Sequence, residues 1–410
     1  MLQNLLDAME NAVKAIDAHG GRELVLVHHN DTDGLSSGAV TMTAFERCGF
    51  IVSRFSLEKP YPQVLERIFA ETGRIVVFAD FAGRIAPLIS AMNRGRNLVV
   101  ILDHHPAMPS VDPSVLNLDG ELFGLKGDRD ISASATCYLF AETLLKSRGL
   151  EAEDLAQLGA LGAIGDGFFV DGALAGVNKA VADKAMRAGF MRAEAREGGE
   201  AYTIRLGAMD YEAELLCTAL DTAGGVGYYD GGPDRGIRIC LAGLDAEATS
   251  YVDGLQATRD RIFNEEIAGL HDRLIETPHL QWFDLEERFR PMGIKMVGVF
   301  CTMIKDSELL NGEKYLAGFQ RIPDEVPGFG PIAFGSTKIS MRVSKGLTER
   351  IRAGRMPGLD SFLPQATEEL GGFVDACHGL SAATTVKIGQ ERELIERVEK
   401  ALLERMASYG

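Results

Sequence analysis

Two adjacent histidines with a carboxylate beside them are the residues of this sequence best placed to do chemistry. Asp103, His104 and His105 follow directly after an apolar run, Leu98–Leu102. A run without polar residues is typical of a parallel strand that is covered on both faces. Ligands of open α/β sheets bind outside the carboxyl ends of such strands. The three residues are therefore predicted to lie at a ligand-binding edge of a sheet.

Acids or histidines follow an apolar run at two more places upstream. Residues 24–27 (LVLV) lead into residues 28–34 (HHNDTDG), and residues 75–78 (IVVF) lead to Asp80. Because parallel strands present their carboxyl ends at a common edge, all three predicted strands deliver carboxylates and imidazoles to the same place.

These residue types predict a divalent metal site. Carboxylates and imidazoles bind manganese, magnesium, zinc or iron, and an oxygen-rich set favours hard ions such as Mn2+, with Mg2+ as the alternative. The candidates are too many for one catalytic ion, whereas two ions about 3.5 to 4 Å apart, bridged by one carboxylate, would use them all. The structural alternative is that Asp31 and Asp33 cap a helix opening near Leu35, and that Asp80 and Asp103 are turn residues.

Four segments, taken in order, resemble the four motifs of the DHH phosphoesterase family. They are residues 29–34 (HNDTDG), Asp80, residues 103–105 (DHH), and Asp166 within residues 161–167 (LGAIGDG). That family includes RecJ single-strand exonucleases, nanoRNases that also cleave phosphoadenosine phosphate, cyclic dinucleotide phosphodiesterases, exopolyphosphatases and manganese inorganic pyrophosphatases. The motifs cover residues 24 to about 170, and they are specific jointly rather than singly.

The resemblance implies a role for each motif residue. One Mn2+ would be held by His29 and Asp31, the other by Asp33, His104 and Asp166, with Asp80 as the bridge. His105 would face the scissile phosphate, and Asp103 would orient the imidazoles, as partners of metal-bound histidines commonly do.

His28 and His29 compete for the first ligand position. His29, two residues before Asp31, matches the histidine-asparagine-aspartate form of archaeal-type RecJ-like members. Neighbouring residues of an extended segment point to opposite faces, so we interpret His28 as a structural histidine. The sequence leaves open which of the two binds metal.

Two further segments lie near these motifs in the sequence. Residues 127–136 (GDRDISASAT) open a predicted helix that continues to Ser147; in the family this segment lines the site. An N-cap role for Ser132 or Ser134 is the alternative. The glycine-rich residues 220–235 faintly resemble a segment of RecJ-like proteins, but Gly225 stands at its arginine position, so no role is carried over.

Composition predicts a cytoplasmic, multidomain enzyme. The chain has 410 residues, more than one core usually serves. It shows neither a signal-peptide pattern nor a membrane span, and its six cysteines lack paired spacing. A formal net charge of −17 argues against nonspecific binding of long duplex DNA, which calls for a basic face, and favours short substrates.

The chain is expected to have an α/β fold in three parts. Residues 1–190 form a parallel-sheet DHH lobe, residues 191–290 a connecting segment with a long helix from Ala246 to Glu276, and residues 291–410 a smaller C-terminal α/β lobe. This last lobe begins with the apolar run 296–300 and continues through residues 332–334 and 338–343 before a helical tail.

The C-terminal lobe resembles the DHH-associated domain, which grips substrate phosphate or base. Alternation over residues 338–344 predicts a strand with one core face and one available face that carries Ser340 and Arg342. Arg342 matches the arginine of that domain's Ser-x-Arg segment, where a guanidinium can hold a phosphate with two hydrogen bonds. The alternative is an ion pair between Arg342 and an acid of this acidic protein.

The glycine-rich histidine loop of that domain is only partly present. His378 lies four residues before Ala382 rather than three, and the three glycine positions hold Asp375, Ala376 and Cys377. His378 stays a substrate-binding candidate, but the departure weakens the identification of the substrate class.

Together these features predict a Mn2+-dependent phosphoesterase with its active site in the cleft between two lobes. A RecJ-like nuclease acting on single-stranded or short nucleic acid is the leading interpretation, with in-line attack by a metal-bridging hydroxide and charge stabilisation by His105 and Arg342. The alternatives are a phosphatase or phosphodiesterase for a nucleoside bisphosphate, cyclic dinucleotide or polyphosphate, and a non-catalytic partner in a replication or repair complex. Intact motifs argue against the last. The sequence leaves open cleavage polarity, DNA or RNA, and a homodimer.

Overall fold

The computed structural model describes residues 1–407, apart from the side chains of Asp375 and Ala376, so these two positions of the atypical histidine loop lie outside the described side chains. The chain forms two compact units. The first comprises Met1–Asp253 with Pro327–Phe329, and the second comprises Gly254–Val326 with the chain from Gly330 onward. The predicted division at residues 190 and 290 stays a prediction.

The first unit is built on a parallel sheet, as predicted, and this sheet has five strands. Its strands are β1 (Glu23–His28), β2 (Ile51–Ser56), β3 (Ile75–Ala79), β4 (Leu98–Leu102) and β5 (Val115–Asn117), in the spatial order β2-β1-β3-β4-β5. Every residue of β3 is buried, because the sheet is covered on both faces. The chain moves from β1 outward to β2 and then returns to β3 on the other side, so the strand order reverses beside β1, where α/β sheets bind ligands.

Nine helices belong to the described part of the first unit. They are α1 (Leu2–His19), α2 (Thr32–Arg47), α3 (Pro62–Ile68), α4 (Ala86–Asn93), α5 (Ala133–Lys146), α6 (Ala156–Gly165), α7 (Gly176–Arg187), α8 (Ala213–Asp221) and α9 (Gly232–Ala242). Helices α2, α5 and α6 pack together against the sheet around Phe45, Tyr138 and Phe140. Helix α6 is apolar on all sides and buried from Ala156 to Ile164, which is typical of a core helix.

Short antiparallel strands complete this unit. A two-stranded hairpin is formed by β6 (Phe169–Val170) and β7 (Ala173–Leu174), and a three-stranded sheet by β8 (Met191–Arg196), β9 (Gly199–Leu206) and β10 (Met209–Glu212). The predicted long helix is present as α10 (Ala246–Arg273). In the described part of the chain, no helix has the length and apolar character needed to cross a membrane.

The second unit is a mixed α/β structure. Its strands are β11 (Ile275–Glu276), β12 (Leu280–Asp284), β13 (Tyr315–Arg321), β14 (Glu325–Val326), β15 (Gly330–Pro331), β16 (Ser336–Arg342), β17 (Phe373–Cys377) and β18 (Ser381–Lys387). Its further helices are α11 (Met296–Ile304), α12 (Lys345–Arg352), α13 (Leu363–Glu368) and α14 (Glu391–Met406). Six strands form one sheet in the order β11-β12-β13-β16-β18-β17, and Tyr315, Phe319 and Leu394 lie in the core beside it.

One expectation for this unit is contradicted by the structure. The apolar run 296–300 forms helix α11, and residues 332–334 belong to no strand. The polar face of β16 was predicted to be available, and this is wrong: Ser340 is 1% exposed and Lys338 is 8% exposed. Helix α11 covers this face, since the thiol of Cys301 lies 3.8 Å from the Ser340 carbonyl oxygen and donates to it.

Candidate metal centre

Strand register places three of the predicted residues side by side. His28 pairs with Ala79 across β1 and β3, and Ala79 pairs with Leu102 across β3 and β4. His29, Asp80 and Asp103 are the next residues along each strand, so they lie at the same level of the sheet. Two backbone hydrogen bonds continue the pairing, from the His29 amide to the Ala79 carbonyl (3.2 Å) and from the Asp80 amide to the Leu102 carbonyl (2.9 Å).

The start of α2 brings two more carboxylates to this edge. Asp31 is the N-cap and accepts a hydrogen bond from the Gly34 amide at 3.1 Å, and Asp33 lies in the first turn, fully buried. The partial positive charge of a helix N-terminus stabilises carboxylates there. Gly34 is required because a Cβ at this position would lie 2.5 Å from the backbone of His29.

The ligand candidates form two groups joined by Asp80. In the first, Nδ1 of His29 lies 3.0 Å from Oδ1 of Asp31 and 3.3 Å from Oδ2 of Asp80. In the second, Nε2 of His104 lies 3.5 Å from Oδ1 of Asp80, 3.6 Å from Asp166 and 3.8 Å from Asp33. The two carboxylate oxygens of Asp80 therefore face different groups.

Asp80 adopts an unusual backbone conformation. Its φ is 67°, in the left-handed region that residues with a Cβ rarely occupy, although aspartate tolerates it better than most. Such conformations persist where the surrounding structure imposes them, and they concentrate at functional sites. The strand end thus holds this carboxylate between the two groups at a conformational cost.

Helix α5 fixes the carboxylate of Asp33. The backbone amides of Ala133 and Ser134 each donate to it at 2.9 Å. Ser132 caps the same helix by accepting from the Ala135 amide, so the plain capping interpretation holds for Ser132. A Cβ at Gly162 would lie 1.8 Å from Oδ1 of Asp33, which shows how closely α6 approaches.

The imidazole of His104 is oriented by a backbone carbonyl. Its Nδ1 lies 2.6 Å from the Gly127 oxygen and donates to it, so Nε2 is the unprotonated nitrogen of the neutral ring. That Nε2 is buried and has no hydrogen-bond partner among the residues that the structure describes. An unsatisfied buried nitrogen facing three carboxylates is the arrangement that a metal ion would complete.

Asp103 holds His105 rather than both imidazoles. One of its oxygens, Oδ1, accepts from Nδ1 of His105 at 2.7 Å and from the backbone amide of His104 at 2.8 Å, while Oδ2 accepts from the Gly83 amide at 2.8 Å. The prediction that Asp103 orients the imidazoles therefore describes the ring of His105 but not the ring of His104, which Gly127 holds. The side chain of His105 is 50% exposed.

The charges of this cluster shift its pKa values in opposing directions. Burial lowers the pKa of His29, but Asp31 and Asp80 outweigh burial and raise it to about 10. Burial and the negative charge of Asp80 raise the pKa of Asp33 to about 6, and burial and Asp33 raise the pKa of Asp166 well above its usual range. Without cations, the carboxylates repel one another, so bound protons or metal ions stabilise the cluster.

His28 lies away from these acids. It is fully buried, with its Nδ1 2.7 Å from the His29 carbonyl oxygen and its Nε2 3.4 Å from Arg54. Burial and the charge of Arg54 lower its pKa to about 3, so its ring is neutral. The structure thus brings His29, and not His28, to the ligand groups.

Sequence reasoning missed a buried carboxylate next to Asp103. Asp119 is fully buried, and its Oδ2 has no hydrogen-bond partner in the described part of the chain. A Cβ built on Gly83 would lie 2.4 Å from that oxygen and 3.0 Å from Oδ2 of Asp103, so the two carboxyl groups converge on Gly83. Burial and the charge of Asp103 raise the pKa of Asp119 to about 8. Asp119 follows β5, but a strand of three residues gives no apolar run in the sequence.

The glycine-rich segment after α8 supports the first motif. Oδ1 of Asp221 accepts from the amide of Thr32 at 2.9 Å and from its hydroxyl at 3.1 Å. The side-chain amide of Asn30 donates to the Gly224 carbonyl at 2.9 Å. A Cβ on Gly224 would lie 1.6 Å from the Asn30 carbonyl oxygen, which explains the glycine. The segment therefore has a structural role that its sequence did not reveal.

In the second unit, Arg342 is held by neutral groups. It donates to the hydroxyls of Thr302 and Ser340 at 2.9 Å and to the Met341 carbonyl at 2.8 Å. No carboxylate pairs with it in the part of the chain that the structure describes, and burial lowers its pKa. The alternative of a surface ion pair is not what the structure shows.

Ser340 and His378 occupy different positions relative to this arginine. Ser340 touches Arg342 directly. His378 is exposed in the turn between β17 and β18, where its backbone amide donates to the Ser381 carbonyl at 2.9 Å. Ser381 pairs with Arg342 across β18 and β16, so the His378 turn lies at the end of the sheet where Arg342 is found.

Comparisons with known proteins support this reading of the fold. No protein-family model matches the chain. RecJ of Thermus thermophilus in complex with Mn2+ is similar with a TM-score of 0.63 and 15% identity, over 97% of this chain and 55% of that one. The DHH domain of a member of the s1p family of ribosomal proteins is similar with a TM-score of 0.60 and 15% identity, over 99% and 92% of the two chains. The chain has the same fold as these RecJ and DHH-domain structures.

A curated relative matches part of the chain at higher identity. The uncharacterized protein MJ0831 of Methanocaldococcus jannaschii is 31% identical over 191 residues, which are 44% of this chain and 41% of that protein. The match therefore spans about two fifths of the relative's length.

Proposed function

We propose that the chain is a metal-dependent phosphoesterase that hydrolyses phosphodiester bonds, as a RecJ-like exonuclease or oligonucleotide nuclease acting on single-stranded or short nucleic acid. One observation carries the proposal: the two oxygens of Asp80 face two separate groups of ligands. Phosphoryl-transfer sites with two metal ions use such a bridging carboxylate.

This geometry supports the proposed set of metal ligands. His29 and Asp31 would hold one divalent ion, Asp80 would bridge, and Asp33, His104 and Asp166 would hold the other; in each group the candidate ligand atoms lie within 4.8 Å of one another. When bound, the two cations would activate a water molecule and neutralise charge on the phosphoryl oxygens. Mn2+ is the expected metal and Mg2+ the alternative, which agrees with the similarly folded RecJ of Thermus thermophilus having been solved with each.

His105 is proposed to act on the substrate rather than on a metal. Because its Nδ1 is bonded to Asp103, its Nε2 remains available to a phosphoryl oxygen. Burial lowers its pKa, but Asp103 outweighs burial and raises it to about 9, so the ring of the metal-free protein is protonated at neutral pH. A cationic imidazole can stabilise the charge that develops on the reacting phosphate.

The second unit is proposed to contribute to substrate binding. Arg342 is half-buried and pairs with no carboxylate in the described part of the chain, and a guanidinium without a negative partner is suited to a phosphate. Ser340 positions that guanidinium through its hydroxyl. His378, exposed in the neighbouring turn, is proposed as a further contact to substrate.

A substrate panel tests the proposal. The chain, supplied with Mn2+, is incubated with labelled single-stranded DNA and RNA oligonucleotides, phosphoadenosine phosphate, cyclic dinucleotides and polyphosphate. We expect the fastest turnover with the oligonucleotides, and its loss when the metal is chelated. Turnover of polyphosphate or phosphoadenosine phosphate alone would replace the nuclease assignment with a small-molecule phosphatase, and no turnover of any substrate with Mn2+ or Mg2+ would contradict the enzyme assignment.

A further inference from the structure

An exposed aromatic hairpin directly follows the metal-ligand candidate Asp166. Its first strand, β6, carries Phe169, which is 40% exposed, and Val170, which is 39% exposed. The preceding Phe168 packs against the imidazole of His104, with ring centroids 5.3 Å apart. An exposed apolar side chain is common by itself, but these lie beside the residues that would bind metal.

The hairpin is held in a fixed conformation. Asp171 and Gly172 have positive φ values of 51° and 80°, as in the tight turns that best fit the twist of a two-residue hairpin. The Gly172 carbonyl accepts from the Glu200 amide at 2.8 Å. The hydroxyl of Tyr202 accepts from the Leu174 amide at 3.0 Å and donates to the Glu200 carboxylate at 2.6 Å. The turn and the second strand of the hairpin, β7, are thereby tied to β9.

The ring of Phe169 is supported from one side. It lies nearly parallel to the ring of Tyr202, with an interplanar angle of 13° and centroids 6.3 Å apart. Tyr202 is only 6% exposed, so it forms the buried layer beneath Phe169. Phe169 therefore lies beside a buried ring and is itself 40% exposed, which leaves area on which a planar ligand can stack.

The position of Phe169 in the sequence limits its distance from the metal-ligand candidate Asp166. Phe169 is three residues after Asp166, so their Cα atoms are at most about 10 to 11 Å apart even for a fully extended chain. A phosphate at the metal ligands and a base on Phe169 can therefore belong to the same or the adjacent nucleotide.

We infer that Phe169, with Val170 beside it, is a stacking platform for the nucleobase next to the scissile phosphate. This inference rests on the proposed function and specifies its substrate as one that carries a base. Aromatic stacking binds any base through its ring face, without reading its identity. An acidic protein, with a formal net charge of −17, gains little from general attraction to phosphates, so stacking supplies binding energy that polyphosphate cannot use.

Oligonucleotides with and without a base at the cleaved position test the platform. Wild type and Phe169→Ala are compared with Mn2+ on an oligonucleotide and on two otherwise identical ones that carry an abasic site at the first or at the last nucleotide. Phe169→Ala should raise KM for the intact oligonucleotide roughly 5- to 100-fold, the range expected for one stacked base. It should leave KM unchanged for the substrate whose abasic site removes that base, and Phe169→Trp should restore the wild-type KM.

Two controls separate the platform from a structural role. Leu150 is 38% exposed and follows the C-terminal end of α5, whereas Asp33 accepts hydrogen bonds at the N-terminal end of that helix. Leu150→Ala should therefore leave KM unchanged for both the intact and the abasic substrate. Mn2+ stoichiometry of Phe169→Ala should equal that of wild type. If Phe169→Ala raised KM equally for intact and abasic substrates, or for neither, the stacking platform would be overturned while the proposed function would stand. Wild type that cleaves no oligonucleotide would overturn both.

Discussion

The candidate metal-ligand cluster of the first unit and the proposed binding residue Arg342 of the second unit are positioned by different means. His29, Asp80 and Asp103 extend from three parallel strands in register, so the backbone itself sets their spacing. Arg342 is held by hydroxyls of Thr302 and Ser340, from a helix and a strand that pack together. In the first arrangement, several charged side chains meet at one point, and metal binding is expected to need each of them. In the second, Arg342 is a single cation, and it contributes binding energy only to a substrate long enough to reach it.

Substitution of Asp80, the proposed bridging carboxylate, should have the largest effect. Asp80→Ala removes the group that faces both ligand sets, and we expect turnover to fall by a factor of about a thousand or more, since metal ions supply several kcal/mol of transition-state stabilisation. Circular dichroism should show an intact fold. Asp154→Ala, which removes a surface acid paired with Arg47, is the matched control. Full activity of Asp80→Ala after metal stripping and Mn2+ reconstitution would falsify the two-metal assignment.

His105 tests whether a residue of the same cluster can act without binding metal. His105→Ala should keep the Mn2+ stoichiometry of wild type and slow the chemical step by about 100- to 10,000-fold, the usual range for a group that handles protons or charge at the reacting atoms. Single-turnover kinetics and metal analysis on one preparation measure both quantities. Loss of one bound ion would instead place His105 among the ligands, as its proximity to Asp80 and His104 allows.

Arg342 tests the second region, where the effect should depend on substrate length. A minimal phosphodiester reporter that fills only the metal site should be hydrolysed nearly as well by Arg342→Ala as by wild type. Arg342→Ala should bind oligonucleotides less tightly than wild type by about 2 to 3 kcal/mol, because a charged hydrogen-bonding partner is removed. Arg342→Lys should recover only part of this, since it keeps the charge but not the planar fork.

A surface arginine of the same unit provides the control for Arg342. Arg350 pairs with Glu313, and Arg350→Ala should change neither rate. If Arg342→Ala slowed hydrolysis of the reporter and of the oligonucleotide equally, Arg342 would act at the reacting phosphate itself. No loss on either would leave the second unit without a role in binding.

Asp119 gives the smallest predicted effect, on stability rather than on catalysis. Its pKa is raised from 3.8 to about 8, by burial and by Asp103, so the metal-free folded state keeps a proton that the unfolded state has lost. Its contribution to stability is complete below pH 3.8 and is lost as the pH rises through about 8. Asp119→Asn, which is always neutral, should flatten this dependence and raise the free energy of unfolding at pH 8 by about 1 to 3 kcal/mol. Urea titrations of both metal-free proteins from pH 4 to pH 8 measure it, and parallel curves would contradict the assignment.

The sequence predicted the first region better than the second for a physical reason. Strands β1, β3 and β4 are long and apolar enough to be read directly, and the residue after each is fixed at the sheet edge. Asp119 likewise lies just beyond the end of a strand, β5. That strand has only three residues, too few to give an apolar run that can be recognised in the sequence. The supporting contacts of Asp221 and Gly224 join segments about 190 residues apart, which spacing in one sequence does not reveal.

The second region contains an apolar run, residues 296–300, that the sequence analysis assigned to neither a helix nor a strand. Met296, Val297, Phe300, Cys301 and Ile304 are the buried apolar side chains of α11, a spacing of three and four that indicates a helix once the run is followed beyond residue 300. Gly298 lets this helix approach β16, since a Cβ there would lie 3.1 Å from the Ser340 hydroxyl. The burial of Ser340 and the half-burial of Arg342 follow from that close packing, and the alternation within β16 alone gave no sign of it.

Anomalous diffraction from crystals grown with Mn2+ tests the central claim most directly. Two manganese peaks should appear about 3.5 to 4 Å apart. One should lie against His29 and Asp31, the other against Asp33, His104 and Asp166, with one oxygen of Asp80 on each. A single peak, or two peaks that Asp80 does not join, would contradict the account.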